Sequence, residues 1–411
     1  MHSLAENNDS VGSPTSEGAV LSRLRSSGIK HEFVSNDTTT SVTNFGDRTD
    51  NSVGASEEAR QNIPRDKQPI AMPPQHGNPV FCFLSLFHRD GARRLATNTL
   101  ACDPEARMLF QENGRIYHGR EMDGYMLPCD EKEQDRLDFI HSMFMAAWGS
   151  VELIHVPHPI NGRFLDLGCG AGIWAKEVAE AYPMATVLGV DICAIQPKER
   201  PPNCIIVAPL DYEKPWLIGE SRWDVIHLRM GCGSVVDWPR LYDTIFNHLQ
   251  NGAWFEQWEI DFEPCCNNRS LQGTHPCFWY RLLKEATTLS RREIAHCPGQ
   301  TQHWLRETGF SDISHECIVL PLNRWSGRAH NLDIARWYSV AFFESVEPLC
   351  MATFSRVLGW SGEDIIRIVD GTRKEALDQH LQAFHTLHIY RARRPDRCWT
   401  SEYGRRGPQI Q

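Results

Sequence analysis

Between Arg163 and Ala175 the sequence reads RFLDLGCGAGIWA. Three glycines, Gly168, Gly170 and Gly172, alternate directly after an apolar run that contains one acid, Asp166. Glycines so spaced let a backbone turn sharply and pass beneath a ligand with no Cβ in the way. A dinucleotide would want its third glycine one position later, in G-x-G-x-x-G, where close helix–strand packing requires it. That position is Ile173. A pyrophosphate also favours a helix N-terminus without a carboxylate beside it. An acid just before the loop suits a ligand that carries positive charge.

The spacing D-x-G-x-G-x-G is the one with which methyltransferases hold S-adenosylmethionine, whose α-ammonium and sulfonium are both cationic. Two further acids fall where that ligand needs them. Asp191 ends the run TVLGVD, suited to accept hydrogen bonds from both ribose hydroxyls, and Asp211 follows CIIVAP, where the adenine amine would lie. The reaction would be attack of a nucleophile on the sulfonium methyl. The donor is already activated, so the protein supplies mainly proximity and alignment. A base is needed only where the acceptor must lose a proton. His227, near the end of WDVIHLR, is the candidate base, and Tyr117 is the candidate to close over the ligand. His227 reads equally as a hydrogen-bonded core histidine. Trp174 reads as core, Tyr212 as packing, and Glu256 and Glu259 as structural.

These residues need a scaffold, and the surrounding pattern supplies one. From Gly162 onward, short apolar runs alternate with helical segments: strands at 164–167, 186–191, 204–209, 223–229 and 252–260, helices at 173–182 and 241–249. Such alternation gives a parallel sheet covered on both faces, which binds ligands beyond the carboxyl ends of its strands. Helical segments follow at roughly 275–308 and 332–380, with late strands at 312–322 and 387–394; the helices form a cap that selects the acceptor. Before the sheet, DEKEQDRLDFIHSMFMAAW reads as an amphipathic helix capped by Asp130, with Leu137, Ile140, His141, Phe144 and Trp148 at helical spacing. The organisation is thus a disordered tail over 1–105, a helical lid segment over 106–160 and the catalytic domain over 161–400.

The 411 residues are 41% hydrophobic and 23% charged, the make-up of a soluble globular chain. A net charge of −10 argues against direct nucleic-acid binding by the bulk of the chain. PVFCFLSLFH, residues 79–88, is shorter than the ~20 residues that span a bilayer. No secretory signal opens the sequence, so the fourteen cysteines are expected to be reduced thiols. None has zinc-knuckle spacing, and no metal is expected.

The segments ENGRIYHG, YMLPCDEKEQDRLD, FLDLGCGAGIWA, VDICAIQP, WDVIHLRMGCGSV, DWPRLY, GAWFEQWEIDFEP and ARWY closely resemble the fungal LaeA-type methyltransferases, over about residues 110–394. The resemblance implies a class I, Rossmann-like fold with a seven-stranded sheet in the order 3-2-1-4-5-7-6. It implies S-adenosylmethionine as cofactor, held by Asp166, Gly168, Gly170, Gly172 and Asp191; beside these, Cys169, Ile192 and Asp211 are read as further cofactor-binding residues. It further implies a nuclear protein, present also in the cytoplasm, that associates with velvet-family proteins and regulates secondary-metabolite gene clusters and development. A protein acceptor is the first reading. A cofactor-binding scaffold without exogenous substrate, or a small-molecule methyltransferase, is the alternative.

Residues 1–78 are rich in Ser, Thr, Asn, Asp and Gly and bury too little surface to offset their chain entropy. Limited proteolysis should therefore remove most of residues 1–105 quickly and stall near Phe110. Slow, uniform digestion of the whole chain would contradict the assignment.

Overall fold

Asn113 and Gly114 fold the first described segment back on itself. Both have positive φ, 49° and 76°, as a two-residue hairpin turn of the mirror-image type requires. The turn joins β1 (Leu109–Glu112) to β2 (Arg115–His118). The computed structural model describes residues 109–119, 124–218, 222–268 and 271–396; the expected tail over 1–105 lies outside the described residues.

Helix α1 (Glu131–Trp148) starts where Asp130 accepts the Glu133 N–H and ends at Gly149 in the left-handed region. The Asp130 carboxylate also takes two hydrogen bonds from Arg115, at 2.7 and 2.8 Å, so the cap ties the hairpin to the helix. All five apolar-face positions read from the sequence lie on α1, and Ile140, His141 and Phe144 are buried, with Met143 and Ala147 beside them.

The large sheet contains β3 (Arg163–Leu167), β4 (Thr186–Val190), β5 (Cys204–Val207), β6 (Trp223–Arg229), β7 (Leu249–Cys266), β8 (Ser311–Pro321) and β9 (Ala383–Arg393). Their order is β5-β4-β3-β6-β7-β9-β8. Numbered within the sheet this is 3-2-1-4-5-7-6, as the resemblance implies. The first five strands are parallel, and β9 inserts antiparallel between β7 and β8. Strand β7 is far longer than the 252–260 read from the sequence, because its second half pairs with β9. Strand β5 ends two residues earlier than read.

Helix α2 (Ile173–Ala181) packs on the first strands, with Trp174, Ala175 and Val178 against Phe164, Val187 and Val225. Helix α3 (Trp238–His248) lies with α5 (Pro298–Thr308), and helices α4 (His275–Leu289), α6 (Ala329–Leu358) and α7 (Gly362–Ala376) share a second core with α1, β7 and β9. The helical stretch at 332–380 is two helices. Gly359 ends α6 in the left-handed region, and the Ser361 hydroxyl accepts the Asp364 N–H to start α7. Likewise 275–308 is interrupted between α4 and α5.

The C-terminal end of α2 is fixed by Asn203. Its amide nitrogen lies 3.0, 3.1 and 3.2 Å from the carbonyls of Ala179, Tyr182 and Ala185. Asn203→Ala strands these carbonyls and should cost about 1–3 kcal/mol in denaturant unfolding. An unchanged midpoint would show that the tie is dispensable.

Candidate active site

Strand β3 ends at Leu167 and the chain then turns through Gly168, Gly170 and Gly172, at φ of +66°, +55° and +79°. L side chains avoid this region. Space is tight as well. A Cβ on Gly170 would lie 3.0 Å from Leu137 Cδ1 on α1, and one on Gly168 would lie 3.3 Å from the Tyr212 ring. The loop is therefore held between the lid helix and the segment after β5. Cys169 is buried, and its N–H donates to the Val190 carbonyl at 3.0 Å, drawing the loop against β4.

Asp191, directly after β4, receives the Gly170 N–H on one carboxylate oxygen at 2.7 Å and the Cys193 N–H on the other at 2.8 Å. Each oxygen retains a lone pair for a further donor. Ile192 is half-buried between them. Gln196 closes the turn, its amide nitrogen donating to the carbonyls of Gly170 and Cys193. The segment leading to Asp211 joins the same edge, since the Leu210 N–H donates to the Asp191 carbonyl at 2.7 Å. Asp211 itself is partly exposed, accepts the Glu213 N–H at 2.9 Å and lies 3.6 Å from Lys214 Nζ. The structure thus brings Asp166, the glycine loop, Asp191, Ile192 and Asp211 together at the carboxyl end of the sheet.

Asp166 is only 4% exposed, and burial drives its carboxyl up to about 8, against a smaller opposing pull from Arg229. Burial likewise lifts Asp191 to about 6. Arg229 ends β6 on the same face of the sheet, since Asp166 pairs with His227 two residues before it. Its guanidinium lies over Phe144 at 4.9 Å and Trp258 at 5.0 Å. Burial lowers its pKa to about 10, so it stays charged, while its Nε and Nη2 have no partner among the described residues. Two buried acids and one guanidinium with two unpaired nitrogens, its Nη1 facing His141 at 3.4 Å, form a set that a zwitterion with an added positive charge can complete.

Of the two candidates for proton transfer and closure, His227 is the register partner of Asp166 in the sheet, and Tyr117 lies in the hairpin. His227 is fully buried, and its ring is stacked on Trp174 at 4.0 Å with the planes 4° apart. Burial and Arg229 hold it neutral, down to about 4. It packs as a core histidine, with neither ring nitrogen hydrogen-bonded among the described residues. Trp174 is core too, donating its indole N–H to the Leu153 carbonyl. Tyr117 packs between Phe110 and Arg356, under the hairpin rather than over the loop.

Two tyrosines border the site: Tyr212, whose ring approaches Gly168, and Tyr125. The hydroxyl of Tyr125 is pushed well above the usual range by burial, and then by Cys193, Asp191, Glu133 and Tyr212 around it. Sequence reading missed it, as it missed Arg229; a tyrosine in an irregular segment carries no spacing signal. Glu256 and Glu259 are structural. Glu256 binds the ring and backbone of His155 and the Trp258 indole. Glu259 accepts the N–H groups of Gly231 and Cys232 at 3.0 Å each, setting the turn after β6.

Beyond that turn lies a hollow of about 390 Å³, lined by Cys232, Val235, Trp238, His296, Cys297 and Trp304 among others. The Glu213 carboxylate fixes its rim, accepting the Val236 N–H at 2.7 Å and a hydrogen bond from Arg292 at 3.2 Å.

The sign of the Asp166 shift makes a prediction. Its folded value, about 8, lies above the ordinary 3.8, so the folded chain holds a proton that the unfolded chain has lost. The stability this contributes is complete at low pH and disappears as pH rises through about 8. The melting temperature of the ligand-free protein should therefore fall between about pH 4 and 8, level off above that, and fall less in Asp166→Asn. Parallel pH profiles for the two proteins would contradict the assignment.

A family model described as a methyltransferase domain matches residues 156–315. The secondary metabolism regulator laeA of Aspergillus fumigatus is 50% identical over 309 residues, covering 75% of this chain and 83% of that protein. The protein-methionine methyltransferase laeA of Emericella nidulans is 53% identical over 291 residues, 71% of this chain and 78% of that one. The Aspergillus niger regulator is 48% identical over 330 residues, 80% and 86% respectively. The chain belongs to the LaeA family of secondary metabolism regulators, and its domain is a class I methyltransferase that uses S-adenosylmethionine.

Proposed function

We propose that this chain transfers a methyl group to a thioether of a protein partner, and so regulates secondary-metabolite gene clusters from within a nuclear complex. The observation that carries the site assignment is the buried trio of Asp166, Asp191 and Arg229. Asp166 would take the α-ammonium, the orphaned nitrogens of Arg229 the carboxylate, and the free lone pairs of Asp191 the ribose hydroxyls. Gly168, Cys169, Gly170, Gly172 and Ile192 would form the floor, Asp211 would face the adenine amine, and Tyr125 would cover the ligand. Bound there, the cofactor supplies an activated methyl group.

The thioether is favoured by the chemistry of the site and by the printed name of the Emericella nidulans relative. A thioether sulfur has no proton to lose, so transfer to it needs no base. That suits a site whose candidate base, His227, is fully buried. In the transfer one sulfur–carbon bond breaks and another forms, and the positive charge moves to the acceptor sulfur. Trp238 and Trp304 line the hollow beside Cys232, where indole rings would attract that charge. The nuclear setting and velvet-family partners rest on the family. With a net charge of −10, DNA contact falls to a partner.

The test is Gly168→Ala combined with Gly170→Ala, expressed in place of the wild type. Both changes put a Cβ on positive-φ backbone, against Tyr212 and Leu137. Cofactor binding should be lost, cluster transcription should fall, and the partner should still co-purify. Normal transcription with no bound cofactor would defeat the catalytic reading and leave a scaffold.

A further inference from the structure

A histidine–cysteine–histidine cluster lies outside the methyl-transfer site, on the last two strands of the sheet. His315 and Cys317 are two apart on β8, so they share a face, and Cys317 pairs directly with His388 on β9. Nε2 of His315 lies 2.9 Å from Nδ1 of His388, and Cys317 Sγ lies 3.5 Å from each. For a tetrahedral zinc ion, bonds of about 2.0–2.1 Å to nitrogen and 2.3 Å to sulfur place N and S about 3.5 Å apart and two nitrogens about 3.3 Å apart. The trio already has that spacing, within a few tenths of an ångström.

We propose that His315, Cys317 and His388 bind a zinc-class divalent ion through two imidazoles and a thiolate. His388 is buried, His315 half-buried and Cys317 exposed, so the fourth position opens to water. The environment around the trio supports this. His315 is oriented by two neighbours. Its ring stacks on Tyr390 at 4.4 Å with the planes 3° apart, and its Nδ1 faces the Gln302 side-chain amide on α5 at 3.1 Å. On binding, the thiol proton leaves. The proton shared by the two imidazoles moves to Nδ1 of His315, where Gln302 turns its amide oxygen to receive it. The ion would pin the edge strand β8 to β9.

The full chain, stripped with chelator, should be titrated with cobalt and then displaced with zinc. One equivalent of cobalt should give a thiolate-to-metal absorption band and a tetrahedral visible spectrum. Cys317→Ser should lose the thiolate band, and His388→Ala should lose binding. Gln302→Ala should weaken it roughly 10–100-fold. Cys297→Ser, at another exposed cysteine, should leave it intact. S-adenosylmethionine binding by each variant reports that it has folded. Absence of a thiolate band in the wild type, or a band of equal intensity in folded Cys317→Ser, would overturn the proposal.

Discussion

The Asp166 carboxylate is buried at the end of the first strand of the large sheet, and no hydrogen-bond donor among the described residues offsets its burial. An uncompensated buried charge is costly, so the group stays protonated until something positive arrives. Arg229 is too far engaged with its aromatic neighbours to fill that role, and itself retains unpaired nitrogens. The two groups carry the complementary charges of an amino-acid zwitterion before any ligand enters.

The rest of the fold holds that arrangement open. Parallel pairing of β3 with β4 and β6 places Asp166, Asp191 and Arg229 at one edge. The amides of Gly170 and Cys193 fix the Asp191 carboxylate, which in turn fixes the glycine turn. Leu137 of α1 covers that turn, and α1 is anchored below by Asp130 and above by the large helical core. In that core the buried Glu133–Arg136 pair meets Ser345 of α6. The lid helix and the C-terminal helices are thus one packed body, and the hollow beside Cys232 opens next to α5.

Much of this was legible in the sequence because it is local. The glycine turn, the acids that end two strands, and the Asp130 cap each show within a dozen residues. What escaped depends on distant packing. Strand β7 runs on to Cys266 only because β9, more than a hundred residues later, pairs with it. His227 looks like a base at a strand end until Trp174 is seen lying flat on it. Tyr125 and Arg229 carry no motif, and nothing in the spacing joins His315 and Cys317 to His388. Those three meet through strand register alone.

The central claim is that the site waits as a protonated acid for a cationic ligand. Titration calorimetry of S-adenosylmethionine binding near pH 7, in buffers of differing ionisation enthalpy, tests it directly. Ionisation of Asp166 beside the ligand should release about one proton per cofactor bound, and affinity should rise with pH up to about 8. Asp166→Asn should release none and bind more weakly. A wild-type heat independent of buffer, with equal affinity in the variant, would contradict the account.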